Sequence, residues 1–353
     1  VIMHHGEGMK GKYGLTQLDS LSLFSNGGNA VTFFFVLSGF LITYLLLKEK
    51  KATNTVSIKK FYLKRVLRIW PLYFLLVFIG TIVLPVAVEF AHFDYDIPYS
   101  FSEVWHYFVF FFPCLVTFYY GHHLLEPLWS IGVEEVFYLI WAPLFKFVKK
   151  NILAILLGVI FIKTILQAIP LIVNMPAVYT MLVNTLSFEA MAIGGLGAYF
   201  KFTTKKTVGS QIYYRKAIQI LVYVLLFVFL FFNKNIDNAV WKFFFATPIL
   251  ANFVVNLIFI YLILGVSVAE NRVLKLENKF FSYLGEISYG IYMYHMSVLV
   301  VVILLLQKIA HLLHPIAEVI LFYGLTTIGV ILVSHLSKKY FEDYFLRLKS
   351  RLH

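Results

Sequence analysis

Charge is scarce in this chain. Asp, Glu, Lys and Arg make up 14% of its 353 residues, where a soluble domain carries about 25%, and 60% of the residues are hydrophobic. That balance excludes an ordinary water-soluble globule. It leaves a polytopic membrane protein whose length suits one domain, 1–353, rather than several soluble ones. Cysteine is nearly missing. The single Cys114 lies in an apolar run, which excludes an intramolecular disulfide framework and a cysteine-built metal cluster. Acidic residues are few, 18 against 30 Lys and Arg. The basic residues sit in short clusters between apolar runs, as cytoplasmic loops do, and not along one face as in a nucleic-acid-binding protein. There is no internal repeat, no low-complexity tract, no secretory signal pattern and no glycine loop built to cradle phosphate. His92, His106, His122 and His123 lack the spacing of a metal site and read as loop histidines.

What remains is a series of apolar runs. Val1 to His5 are too few to span a bilayer, so the chain is expected to open on a first helix that has lost its N-terminal part. A glycine-containing polar loop is expected over 6–25. Spans are expected near 29–47, 69–88, 152–173, 177–200, 217–232, 243–268, 286–307 and 315–337. The runs 104–120 and 129–148 lie between them. Basic residues cluster at Lys48 to Arg68, at 146–150, 201–216 and 272–279 and in the tail, whereas the segment holding Glu89, Asp94, Asp96 and Glu103 has no Lys or Arg. All basic loops fall on one face only if 104–148 makes one net crossing. One of its two runs is then re-entrant or half-embedded, which is allowed where it lines a protein-enclosed cavity. The expectation is an all-α polytopic membrane helix bundle of about ten transmembrane helices with one such segment. The tail, 338–353, carries aromatic residues on one helical face and basic residues opposite, which suits an interfacial amphipathic helix.

The most informative run is Leu128 to Trp141, where Glu134 and Glu135 interrupt apolar and aromatic residues. A carboxylate in hydrocarbon costs roughly 2.5–3.5 kcal/mol on insertion scales, so it faces a bundle interior or a wet cavity and marks a site. Ser130, Glu134 and Tyr138 share one helical face at i, i+4, i+8, and Glu135 points about 100° away. Two adjacent carboxylates also split in pKa, which suits acid–base work.

Other candidates have weaker signals. Lys64, Arg65 and Arg68 suit a phosphate-bearing ligand, since guanidinium forks grip phosphate, and read equally as a positive-inside anchor. His4 and His5 differ by about 100° around a helix, so one faces a cavity. That imidazole could deprotonate a hydroxyl, or both could be interfacial. Ser38-Gly39 suits close helix approach more than a nucleophile. Glu189 is a second intramembrane carboxylate, for pairing with an Arg or for catalysis. Ser288, Tyr292 and His295 form one polar stripe, either lining a substrate path or satisfying an interhelical network.

These segments, in this order, resemble the acyltransferase 3 family of membrane acyltransferases. Phe33 to Ile42 resembles the family's FFVLSGFLI segment, Phe61 to Tyr73 its FxxRRxxRIxPxY segment, Trp129 to Tyr138 WSLSVEEQFY, and Gly285 to His295 GxISYxLYxxH. The family's RxxAxxxVxxxH pattern, with its Val on Val1, makes His5 the matching histidine and puts the Arg before residue 1. Lys64 stands where the family often has Arg, and Glu342-Asp343-Tyr344 lacks the proline of the family's C-terminal segment.

The resemblance implies an O-acyltransferase of the bacterial inner membrane. It would move an acyl group, acetyl by preference, from acyl-coenzyme A to a hydroxyl of a cell-surface carbohydrate or lipid-linked glycan, with no permanently bound cofactor and no metal. His5 with Glu134 or Glu135 would be catalytic, and Lys64, Arg65 and Arg68 would hold the donor. Ser38, Trp129, Ser130, Tyr138, Glu189, Tyr292 and His295 would line the substrates. A transporter with carboxylate proton relays is the alternative, although no repeat supports it. A structural partner in an envelope complex is a third reading.

Overall fold

A computed structural model describes residues 1–18, 22–92, 95–148, 151–204, 212–232, 247–267 and 272–350. Asp94, the basic residues Lys149 and Lys150, segment 205–211, the ends of the expected 243–268 span and residues 351–353 lie outside the described residues. Every described element is helical and none is a strand. Among the described residues, eight helices are long and apolar enough to cross a membrane: Gly27–Thr53, Ile58–Phe90, Leu128–Phe147, Ile152–Leu171, Ala177–Thr203, Pro248–Ser267, Lys279–Gln307 and Pro315–Leu348. The shorter apolar helix Lys216–Phe232 and the opening helix Ile2–Lys12 accompany them. The protein is thus the multi-pass, all-α membrane bundle that its composition implies.

Helices are numbered in chain order. α1 is Ile2–Lys12, α2 Gly27–Thr53 and α3 Ile58–Phe78. The helical residues over 2–12 correct the expectation of a loop beginning at residue 6. The polar side chains of α1 find partners in the bundle: Glu7 pairs with Lys10 at 2.7 Å, Tyr323 donates to Glu7, and the Leu18 N–H donates to Glu7 at 2.6 Å. Gly6 makes room for Phe322, whose ring would lie 3.0 Å from an added Cβ. α1 is thereby pinned to the late helices.

α3 begins at Ser57, whose side chain accepts from the Lys60 N–H, a standard N-cap. It continues through a π-helical turn, Ile79–Val83, into α4, Leu84–Ala91. The cluster Lys64 to Arg68 therefore lies inside a helix. The segment 101–120 holds no helix long enough to cross. It is α5, Phe101–Val109, and α6, Pro113–Tyr120, each about 12–14 Å long at 1.5 Å per residue against a hydrocarbon core of about 30 Å. Phe111 between them has φ +60°, and Phe112 precedes a proline, which disfavours continued helix. The carbonyl of Phe111 packs onto Gly132, where a side chain would collide with it.

α7 is Leu128–Phe147, α8 Ile152–Ala168, α9 Ala177–Thr185 and α10 Phe188–Thr203. Next come α11, Lys216–Phe232, α12, Pro248–Ser267, α13, Lys279–Gln307, and α14, Pro315–Ser337. The tail continues α14 through a π-helical turn, Lys338–Glu342, into α15, Asp343–Ser350, and packs against α3. The tightest crossing joins α2 and α10. Added side chains at Gly39 and Gly194 would collide with the carbonyls of Met191 and Val36. The small-residue reading of Gly39 is the one this packing supports.

Candidate active site

Five helices build the main cavity, of about 650 Å3, with Ile2 and Met3 of α1 in its wall. α2 contributes Ser38, α3 Arg65 and Arg68, α7 Glu134 and Tyr138, and α13 Ser288, Tyr292 and His295. The four-residue spacing on α7 and the stripe on α13 thus face one space. Ser38 and Tyr138 share a hydrogen bond of 2.8 Å between their hydroxyls. Glu134 is buried and its Oε1 has no hydrogen-bond partner. The Arg65 guanidinium lies 5.6 Å from the ring centroids of both Phe61 and Tyr138, a geometry in which the ring faces attract the cation. Its Nε is buried and unpartnered. Cation and carboxylate with unused bonding capacity thus line one wet-sized space.

Glu135 does something else. It turns toward α3, where its Oε2 accepts from Trp70 Nε1 at 3.0 Å. Ser130 is fully buried, and its hydroxyl lies 2.6 Å from that of Tyr292, which itself donates to the Pro127 carbonyl at 2.9 Å. Ser130 therefore ties α7 to α13.

The two histidines at the end of α1 part company. His4 lies against the Phe24 carbonyl at 3.2 Å. The His5 ring centroid lies 5.3 Å from that of His295. His295 is fully buried, and its Nδ1 faces the Tyr292 carbonyl. A carbonyl only accepts, so Nδ1 carries the hydrogen and the unpartnered Nε2 carries the lone pair. The direct carboxylate contact expected between His5 and Glu134 or Glu135 is not made. His295 stands where that contact was expected, touching His5 and sharing the cavity with Glu134.

His5 opens into a second space of about 430 Å3, with His4, Tyr95, His122, His123 and Glu126 in its wall. The loop histidines there are held by neighbours. His122 lies 2.7 Å from Glu126. His123 accepts from the Leu125 N–H at Nδ1, so its Nε2 donates to Thr117 at 3.2 Å. Burial first, and His122 second, lower the His123 pKa to about 4. Burial raises that of Tyr95 to about 12. The His5–His295 contact is thus the seam between two cavities.

Lys64 faces a third space, of about 380 Å3, with Lys48, Glu49, Lys60 and Arg65. Arg65 lines both this space and the main cavity. Trp129 and Glu189 lie elsewhere, in a cavity across α2. The Glu189 partner is Lys163 at 3.8 Å, not an Arg, with Gln167 donating at 3.3 Å. Sequence reasoning missed Lys163 and the basic groups Lys48 and Lys60 as site residues. Lys163, a lone cation in an apolar run, was the available signal for the first.

Membrane-length helices around a buried constellation of imidazole, carboxylate and guanidinium mark a functional site in a membrane protein rather than an inert bundle. The chain belongs to the acyltransferase family: the family's profile, described as an acyltransferase domain, matches residues 1–335. Over 142 residues it is 32% identical to the peptidoglycan O-acetyltransferase OatA of Listeria monocytogenes, covering 36% of this chain and 22% of that protein. A putative peptidoglycan O-acetyltransferase of Bacillus subtilis, YrhL, is 31% identical over 141 residues, 36% of this chain and 21% of that one. An uncharacterized protein of Haemophilus influenzae is 28% identical over 227 residues, 57% of this chain and 86% of that one. The chain spans about a fifth of the length of the first two relatives. No solved structure matches it.

Proposed function

We propose that this protein transfers an acyl group, acetyl by preference, from acyl-coenzyme A to a hydroxyl of a cell-surface carbohydrate or lipid-linked glycan in the bacterial cytoplasmic membrane. One observation carries the reading. The main cavity runs from the basic end of α3 to His295, and His5 meets His295 from the other side. A donor entering beside Lys64, Arg65 and Arg68 and an acceptor entering beside His5 would meet at the two imidazoles. The names of the two peptidoglycan O-acetyltransferase relatives support a glycan acceptor.

The chemistry follows from the groups. Lys64, Arg65 and Arg68 bind the donor's phosphates, with guanidinium forks giving the stronger charge-assisted bonds. His5 takes the proton of the acceptor hydroxyl as its oxygen bonds to the acyl carbon. The carbon–sulfur bond then breaks, and the thiolate leaves and takes the proton from the imidazolium. His295 Nε2 accepts a hydrogen bond from the His5 side and steadies it. Glu134 places a carboxylate in the same cavity to balance the transient cation, the role of the third group in a catalytic triad. Ser38, Tyr138 and Tyr292 line the path between donor and imidazoles.

The test is acetyl-coenzyme A turnover by the full-length protein in lipid, with peptidoglycan fragments as acceptor. Thioester cleavage that depends on acceptor and is lost in His5→Ala supports the reading. A folded wild type that cleaves no thioester with any acceptor overturns it.

A further inference from the structure

Across α2 from Glu134 lies a cavity of about 330 Å3, at the lower end of the range of about 300–1,000 Å3 for ligand pockets. It sits at the N-terminal ends of α2, α7, α10 and α12, remote from the ends that carry Lys50, Lys146 and Lys201. Its wall mixes amides and hydroxyls, Asn29, Thr32, Asn252 and Asn256, with the apolar faces of Phe35 and the Trp129 indole. Asn256 is 1% exposed, and its Oδ1 has no hydrogen-bond partner. A buried acceptor left unpaired costs about 1–3 kcal/mol, so the amide is set for a donor arriving from outside the protein.

Charge and shape narrow the occupant. The Glu189 carboxylate in this wall is balanced by Lys163 at 3.8 Å, so the cavity offers no net charge to a phosphate or a carboxylate. Its density of amides does not suit an acyl chain. The Trp129 ring is held edge-to-face by Phe35 at 5.8 Å and presents an aromatic surface with polar groups around it. That combination suits a pyranose, whose hydroxyls pair with amides while its C–H face covers the indole.

The cavity is also next to the chemistry. Gly28 lines it, and a side chain on the adjacent Gly27 would collide with the ring of His4. One residue separates His4 from the wall, and His5 follows directly. We propose that this cavity binds a neutral sugar residue of the glycan acceptor, a neighbour of the residue whose hydroxyl reaches His5. The proposal rests on the acyl-transfer reading for its acceptor.

The experiment measures equilibrium binding of radiolabelled chitotetraose, a neutral oligosaccharide, to the full-length protein in nanodiscs without donor. Wild type is expected to bind. Asn256→Leu, which keeps volume and removes the amide, and Asn252→Ala at the exposed rim are each expected to weaken binding about tenfold or more, some 1.4 kcal/mol. Tyr340→Ala, exposed on the tail and outside the cavities described, is expected to bind as wild type does. Asn252→Ala leaves a core-independent reading if Asn256→Leu folds poorly. Wild-type binding that both Asn variants retain, binding lost in Tyr340→Ala, or no binding by wild type would each overturn the proposal. Failure of the acyl-transfer reading shows separately, as absence of thioester cleavage.

Discussion

His5 and His295 come from opposite ends of the chain and meet ring to ring, with centroids 5.3 Å apart. The Tyr292 carbonyl fixes the tautomer of His295 and leaves Nε2 as a buried acceptor without a partner. The pair therefore has one imidazole held in a defined state and one open to the second cavity.

Removing the open imidazole removes the proposed base. His5→Ala is expected to lower acyl transfer by about 10²–10⁴-fold with the bundle intact. His295→Leu keeps the volume but loses the acceptor and is expected to lower turnover at least about tenfold, the value of one hydrogen bond to a transient charge. Thioester cleavage in lipid, with far-ultraviolet circular dichroism as the folding check, measures both.

The two adjacent carboxylates should separate cleanly. Glu134→Gln removes a charge from the main cavity and is expected to cost about 10²-fold in turnover. Glu135→Gln keeps an oxygen for Trp70 Nε1 and is expected to stay within a few-fold of wild type. Equal losses in the two variants would contradict the geometry.

Donor affinity should follow the α3 cations. Arg68→Ala is expected to raise the KM for acetyl-coenzyme A by about 10- to 100-fold, the worth of a charge-assisted hydrogen bond, with a smaller change in kcat. Lys64→Ala, facing the third space with Lys48 and Lys60, is expected to act in the same direction and more weakly. A change in kcat without a change in donor KM would place the phosphates elsewhere.

Stability should report the α2–α10 crossing. Gly39→Ala and Gly194→Ala both drive a methyl group into facing backbone, where overpacking costs about 1–3 kcal/mol or more. Gly158→Ala has open space around it and is expected to be neutral or slightly stabilising, because Ala is the better helix former by about 0.5–1 kcal/mol. Thermal melts in detergent compare the three.

Acid should loosen the loop that carries His123. Its pKa falls from about 6.5 unfolded to about 4 folded, so the unfolded chain binds the extra proton first. The contribution is complete above about pH 6.5 and is lost as pH falls from there through about 4. The loss approaches about 3 kcal/mol at 1.36 kcal/mol per unit. Melting temperature measured at pH 7.5 and 4.5 should drop less in His123→Gln than in wild type.

Much of this arrangement is written in local spacing. Glu134 and Tyr138 face one cavity because they are four apart on a helix, and Ser288, Tyr292 and His295 do so for the same reason. The 100° between neighbours separates His4 from His5, but only the match to the family pattern selects His5, and both line the second cavity. The Lys and Arg distribution indicates that 104–148 makes one net crossing, but not which of its two runs is the short one.

What was not legible depends on how helices pack. Glu189 and Glu134 look alike in sequence, each a carboxylate in an apolar run, yet α2 separates them. The partner of Glu189, Lys163, sits on α8, and no periodicity joins the two. The contact of His5 with His295 joins helices with eleven other described helices between them in the chain. The helical course of 2–12 depends on Tyr323 and Phe322 of α14, which no local propensity anticipates.

The glycine crossing also sets a measure. Gly39 and Gly194 bring α2 and α10 into backbone contact, which fixes α2 as a partition one helix thick, about 10–12 Å, between the Glu134 cavity and the amide-lined one. A glycan gripped on one side of that partition and esterified at its upper edge would be marked at a set offset from the gripped residue. The bundle would then act as a ruler, choosing which sugar along a chain receives the acyl group.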